Sequence, residues 1–177
     1  MNKQLIASIC ILGLVGMVVG VAVLAGTEEP ISATVTPKLV SVSVSPTTVN
    51  YGTLALSTSD GSRTTALSGT FTATNGGNVT ETFNIKGTDA TGGTTWTLDY
   101  SPANTGTVGN DQYVHRYDEG ASFIGGEAAA LSTSYLTLKA GVAALGTADF
   151  VLQMNMPTGT TGYGQRSSTV TVQAVAP

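Results

Sequence analysis

The amino-acid sequence predicts an all-β protein: an antiparallel β-sandwich of about eight to ten strands that follows an apolar N-terminal helix. Three observations indicate this fold class. Apolar and polar residues alternate in short runs along most of the chain, as they do in strands with one buried face. Turn residues separate these runs at intervals of roughly 8 to 12 residues. After the N-terminus, only "GGEAAALS" has helical composition, and it is too short to connect parallel strands.

The N-terminal segment, residues 1–25, predicts export. "MNKQ" carries one positive charge, and 22 uncharged residues follow it in "LIASICILGLVGMVVGVAVLAG". Small residues up to Ala25 fit a signal peptide that is cleaved after this position. The length also fits the alternative of a retained helix of roughly 20 residues that anchors the protein in a membrane or packs in a filament core. Both interpretations place the rest of the chain outside the cell or at its surface.

Composition excludes several function classes. Charged residues make up 10% of the chain, and the only cysteine, Cys10, lies in the apolar segment, so neither a disulfide framework nor a cysteine-ligated metal site is expected beyond it. From residue 27 onward, the six Lys and Arg occur singly among eleven Asp and Glu. No basic stripe exists for phosphate contacts, and we therefore expect no nucleic-acid partner.

The first strands follow the N-terminal segment. In "LVSVSVSP", Val40, Val42 and Val44 share one face and Pro46 ends the run, while "TVNYGTLAL" resumes it with a bend at Gly52. "SDGSR" and "NGG" are turn sequences. Later runs alternate in the same way. The inward-facing residues predicted in these runs are Leu67, Phe71, Ala73, Phe83, Ile85, Trp96, Leu98, Tyr100, Phe150, Leu152, Met154, Met156, Val170, Val172 and Ala174.

The stretch "DQYVHRYDEG", residues 111–120, concentrates charge around the only histidine, His115. Tyr113, His115 and Tyr117 fall on one face of a predicted strand, which leads into a turn at 118–120. A histidine near carboxylates can act as an acid or base, but no nucleophile elbow accompanies it, and one histidine cannot build a conventional zinc site. We therefore predict a structural strand, no catalytic residue, no metal site, no cofactor and no enzymatic activity.

The sequence contains candidates for three other kinds of site: calcium binding, N-glycosylation and sugar binding. Residues 59–62, 87–93 and 117–120 carry oxygen ligands suited to calcium, but they lack calcium-loop spacing and are better explained as turns. Asn78 in "NVT" is a candidate N-glycosylation site. Six aromatic residues could form a sugar-binding face, although core packing is the commoner use: Trp96, Tyr100, Tyr113, Tyr117, Tyr135 and Tyr163.

"VSPTTVNYGTL", "FTATNGGNVTETFNIKGTDA", "WTL", "DQYVH" and "GYGQRSSTVTVQA" together resemble small exported bacterial and archaeal surface proteins. These have an immunoglobulin-like domain with a V-x-[FY]-G element followed by N-x-G-N. The resemblance covers about residues 40 to 175. It implies an exported immunoglobulin-like β-sandwich and no defined activity.

Three regions are expected: the signal or anchor at 1–25, an N-terminal segment at 26–37, and the immunoglobulin-like sandwich at 38–177. In "ISATVTP", Ile31, Ala33 and Val35 alternate with polar residues, between Pro30 and Pro37. Such a segment can act as a donor strand that completes the sheet edge of a neighbouring molecule. Alternatively, it forms the first strand of its own domain.

The predicted function is that of an exported cell-surface structural protein, a subunit of an extracellular filament or surface layer that self-associates through strand addition or its N-terminal helix. Archaeal pilins and flagellins resemble this layout. The chain departs from their processing pattern, because Gln4 rather than Gly or Ala precedes Leu5 and no glutamate lies early in the apolar run. The alternative function is a monomeric adhesin or carbohydrate-binding module with glycan partners.

Overall fold

A computed structural model describes residues 31–58, 64–100, 108–123 and 128–177 of the chain. The predicted helix at 1–25 and the predicted turn at "SDGSR" lie outside these ranges. The chain divides into two units, Met1–Thr36 and Pro37–Pro177. The described part of the first unit, residues 31–36, is exposed and contains no strand.

The second unit contains the ten described strands. They are β1 (Val42–Ser45), β2 (Thr65–Leu67), β3 (Phe71–Asn75), β4 (Glu81–Lys86), β5 (Thr97–Leu98), β6 (Gln112–Glu119), β7 (Ala129–Ala130), β8 (Leu136–Val142), β9 (Thr147–Asn155) and β10 (Thr171–Val175).

The strands form two sheets. The larger sheet has the order β1-β3-β9-β6-β5, with β2 also paired to β9 and β7 paired to β6, and the smaller sheet has the order β10-β4-β8. The predicted all-β class is confirmed. All strand pairs are antiparallel except β5 with β6, which is parallel. Antiparallel pairing was expected throughout, but residues 99–111 give the chain enough length to return and pair in the parallel sense.

The inward-facing side chains of both sheets form the core. β3 and β4 alternate buried and half-buried residues along their whole length, which confirms the prediction from their sequence period. Phe71 and Phe150 are opposite each other on β3 and β9, and their rings stack with centroids 5.2 Å apart. Phe83 and Ile85 are fully buried on β4.

A one-residue register shift explains why the prediction for Leu67 is wrong. Leu67 on β2 lies opposite Gln153, whereas Phe71 on β3 lies opposite Phe150. The chain advances four residues from Leu67 to Phe71, whereas β9 advances three from Phe150 to Gln153. This one extra residue changes the face of the alternation between β2 and β3. Leu67 is consequently 56% exposed while Phe71 is buried. Ser68 spans the break, because its N–H donates to the Leu152 carbonyl and its hydroxyl accepts the Leu152 N–H.

Other differences come from strands that end early. Tyr100 is exposed because β5 ends at Leu98. "TVNYGTLAL" was predicted as a strand, but residues 48–56 form an irregular segment whose Leu54 and Leu56 pack against the core. In "GGEAAALS", the described Ala129–Ala130 pair with β6 as β7 rather than forming a helical turn.

Candidate functional site

The turn between β3 and β4 gathers three parts of the chain. It comprises Asn75, Gly76, Gly77 and Asn78, and is called the NGGN turn below. The fully buried Asn75 side chain donates from Nδ2 to the carbonyls of Val79 at 2.8 Å, Val142 at 3.0 Å and Ala143 at 3.1 Å. Its Oδ1 accepts the Gly77 N–H at 2.8 Å. One amide thereby fixes the turn to the connection between β8 and β9.

The NGGN turn also holds the chain that leads into β1. Asn78 Nδ2 donates to the Pro37 carbonyl at 2.8 Å, and Asn78 Oδ1 accepts the Leu39 N–H at 2.8 Å. The Asn78 N–H donates to the Leu39 carbonyl at 3.2 Å, and the Gly76 N–H donates to the Ser41 carbonyl at 2.9 Å. Residues 37–41 are therefore hydrogen-bonded in place although their side chains are exposed.

A buried carboxylate lies beneath these contacts. Glu81, at the start of β4, is fully buried, and its Oε1 accepts the Ser41 N–H at 2.9 Å. Among the described residues, its Oε2 has no hydrogen-bond partner. A side chain at Gly77 would overlap both Glu81 Oε1 and the Leu39 carbonyl oxygen. Glycine is required here because the backbone of the turn approaches both groups closely.

The residues predicted as a donor strand are accessible. Residues 31–41 are all exposed and lie in no strand, with Ile31 at 93% and Val35 at 90% exposure, and Ala33 exposed between them. The alternative that this segment forms the first strand of its own domain is not observed for residues 31–37. Where the second unit begins, Lys38 Nζ donates to the Pro177 carbonyl at 2.7 Å, so the two ends of this unit lie together.

The charged stretch around His115 forms the predicted strand, β6. Asp111 accepts hydrogen bonds from the hydroxyls of Thr160 and Thr161, which lower the pKa of its carboxyl. Arg116 Nη2 donates to the Ala128 carbonyl at 2.9 Å. Glu119 forms an ion pair with Lys139. Each of these three groups has a separate partner within the fold.

His115 itself is buried in the core. Its Nε2 lies 2.9 Å from the Tyr51 hydroxyl, and Nδ1 has no partner among the described residues. Burial lowers the pKa of His115 to about 4. The two tyrosines beside it remain protonated, because burial raises the pKa of Tyr51 and raises that of Tyr113 to about 12. A neutral imidazole therefore lies between two neutral phenols. No local sequence pattern indicates the Tyr51 contact, because 64 residues separate the two side chains.

The remaining predicted sites are distributed over the fold. Asn78 is exposed, as a glycosylation acceptor must be, although its amide already binds the Pro37 carbonyl. Asp89, in the calcium candidate 87–93, accepts the Leu98 N–H at 2.8 Å and so stabilises a turn. Residues 59–62 lie outside the described ranges. Within those ranges, His, Cys, Asp and Glu side chains nowhere gather in groups of three or more that could hold a metal ion.

The six aromatic residues do not share one sugar-binding face. Trp96, Tyr113 and Tyr117 are buried in the core, and the Trp96 indole N–H donates to the Thr160 hydroxyl at 3.0 Å. The others are exposed, from Tyr135 at 39% to Tyr163 at 87%. An open cleft of about 410 Å³ lies between the sheets, lined by Tyr117, Asp118, Glu119, Ala129, Thr137 and Leu138.

Comparison of the chain with protein-family models, with curated proteins and with solved structures found no match. Among the residues that the structure describes, none lies in a helix with the length and hydropathy needed to cross a membrane. The chain's own structure, chiefly the contacts of the NGGN turn and the exposed segment before it, is therefore the basis for a functional proposal.

The close approach at Gly77 predicts that Gly77→Ala destabilises the protein. The added methyl group must displace the Leu39 carbonyl or the Glu81 carboxylate, and we expect a loss of about 1–3 kcal/mol in the free energy of unfolding. Urea denaturation measures this. The matched control is Gly69→Ala, where a methyl group meets nothing within 4 Å, and a change within about 0.5 kcal/mol is expected. Equal losses in both variants would contradict the steric argument.

The burial of His115 predicts that mild acid destabilises the protein. Unfolding returns the pKa of this ring from about 4 to 6.5, so the folded protein binds fewer protons between these values. Stability therefore falls as the pH drops below 6.5 and the loss is complete below about pH 4. From about pH 7.5 to about pH 5, we expect this ring to remove about 2 kcal/mol from the free energy of unfolding measured in urea.

The control for this prediction is His115→Gln, which has no titrating ring. The free energy of unfolding that this variant loses between the same two pH values measures the contribution of the carboxylates and other groups common to both proteins. The wild-type loss should exceed it by the amount attributed to His115. Parallel pH profiles for the two proteins would show that the ring does not stay neutral on folding.

Proposed function

We propose that this chain is an exported structural subunit of an extracellular filament or surface layer, with an immunoglobulin-like sandwich as its folded unit. The observation that carries the proposal is the run of exposed residues 31–41 ahead of β1. Its first six residues alternate apolar and polar side chains, which is the pattern of a strand with one buried face. A segment with this pattern and no sheet of its own suits strand addition to another molecule.

The way the chain is held supports this role. The NGGN turn fixes residues 37–41 through both the backbone and the side chain of Asn78. A segment that joins two subunits transmits force to the fold at the point where it is attached. Several hydrogen bonds and the buried Glu81 contact at that point resist detachment of the incoming chain.

The sheets support the finer fold assignment. The inward-facing residues of both sheets form one apolar cluster, and β1 of the larger sheet approaches β10 of the smaller one at the side of the sandwich. Two antiparallel sheets that face each other around one core are the architecture of immunoglobulin-like domains. The charges dispersed along β6 support a structural rather than a catalytic role.

A surface adhesin or carbohydrate-binding module is the second candidate, and the exposed tyrosines favour it. Tyr163 is 87% exposed and Tyr100 is 62% exposed, and an exposed aromatic ring can stack on a sugar. Such a protein would remain monomeric and be retained on immobilised glycans, and Tyr163→Ala would reduce the retention.

Two charge variants of the exposed segment test the structural proposal. The first variant places carboxylates on the apolar face and carries Ile31→Asp, Ala33→Asp and Val35→Asp. The free-energy cost of burying these charges against another molecule would prevent the contact. Ser32→Asp/Thr34→Asp/Thr36→Asp is the matched control, because it adds the same charge to the same segment on the face expected to meet solvent. All six positions are exposed, so neither variant should unfold the second unit.

Electron microscopy and light scattering of protein collected from the cell surface provide the readout. We expect filaments or layers from the wild type and the control, and dispersed monomers from the apolar-face variant. Assembly that survives in the apolar-face variant would rule out this segment as the joining element. Monomers in all three samples would favour the adhesin.

A further inference from the structure

The strand edges of the two sheets differ in how well they are protected against strand addition. β10 pairs with β4 in an uninterrupted register from Thr171 to Val175, and among the described residues its other edge is unpaired. The strand contains no charge, proline or bulge, and these are the features that usually block an edge. β10 therefore offers a regular row of backbone donors and acceptors.

The other edges in the described part of the chain are blunted. β5 and β7 have two residues each and β2 has three, which is too short to guide another strand. β8 pairs with β4 through register shifts, contains Gly141 in a left-handed conformation at φ 70°, and carries Lys139. Bulges and lysines on an edge discourage further pairing. β1 has four residues and is followed by Pro46, which lacks an N–H.

The side of the sandwich next to β10 is also incompletely covered. The inward-facing Phe83 and Ile85 on the neighbouring β4 are fully buried. Val172 and Ala174 on β10, and Val42 and Val44 on the adjacent β1, pack against the core but remain only half-buried. An additional strand along β10 would remove this apolar surface from water, which favours its binding.

We propose that the β10 edge is the acceptor for residues 31–36 of a second copy of this chain. This inference rests on the proposed function and adds the surface on which the joining segment binds. Six residues in an extended conformation match the five residues of β10 in length. Neither sequence carries a charge, so no like-charge repulsion opposes their pairing. Ile31, Ala33 and Val35 then face the half-buried valines, and the intervening polar residues face solvent beside Gln173.

Disulfide trapping between two single-cysteine proteins tests the acceptor. One full-length protein carries Ser32→Cys, Thr34→Cys or Thr36→Cys, which covers neighbouring registers, and the other carries Gln173→Cys, both with Cys10→Ser. Side chains directly opposite on paired strands are close enough for a disulfide. The matched control replaces Gln173→Cys with Thr137→Cys on β8, because Gln173 and Thr137 both lie opposite Asn84, on its two sides.

We expect a mixed disulfide dimer with Gln173→Cys at a yield at least about tenfold above that with Thr137→Cys. A preference for Thr137→Cys would move the acceptor to β8 and its neighbouring cleft, and would overturn the proposal. Equal low yields in samples that still assemble would also overturn it. A third result would overturn it as well. In this result, a single chain carrying both Thr34→Cys and Gln173→Cys forms an internal disulfide, while the mixtures of two single-cysteine proteins form no disulfide between chains.

The two proposals fail in distinguishable ways. If wild-type protein never assembles under the microscope, the structural function fails and the acceptor assignment fails with it. If wild-type filaments or layers form while the Gln173 disulfide does not, the structural function stands and only the β10 assignment is lost.

Discussion

The buried side chains of Asn75 and Glu81 impose the constraint on which the other parts of the fold depend. Polar groups removed from water destabilise a protein unless they are hydrogen-bonded. Asn75 meets this requirement with carbonyls on the connection between β8 and β9, and Glu81 accepts the backbone N–H of Ser41. The two sheets and the chain leading into β1 are thereby joined through these two side chains. Displacing any one segment would leave buried groups of the others without partners.

This arrangement separates the chain into parts with different physical roles. From Pro37 onward, the backbone is held by the NGGN turn and then by the sheet. Residues 31–36 before it are exposed and lie in no strand, and three of them have apolar side chains. Exposed alternating apolar residues gain stability only when a second surface covers them. The chain thus presents exposed apolar side chains at 31–36 directly before residues that the NGGN turn holds by hydrogen bonds.

The sequence predicted the core well and the contacts between distant strands poorly. Alternation along β3 and β4 located Phe71, Ala73, Phe83 and Ile85 because strand periodicity is a local property. The opposite placement of Leu67 depends on its register against β9, nearly ninety residues away, which no local pattern records. The NGGN turn was recognisable from its glycines, but the buried Glu81 and the Tyr51–His115 contact were not. Both depend on contacts between parts of the chain that are far apart in the sequence.

The unequal protection of the edges bears on the type of assembly. Crowded protein molecules aggregate through regular open strand edges. In the described part of the chain, register shifts, a lysine or a short strand length protect every edge except that of β10. Leaving one edge open is a liability for a monomer, but it has a use in a protein that joins to copies of itself. Because residues 31–36 and the β10 edge are different surfaces, a contact between them is heterologous. Such contacts close into a ring only at particular rotations and otherwise extend without limit, so the proposed strand addition would build a filament unless its rotation closed a ring.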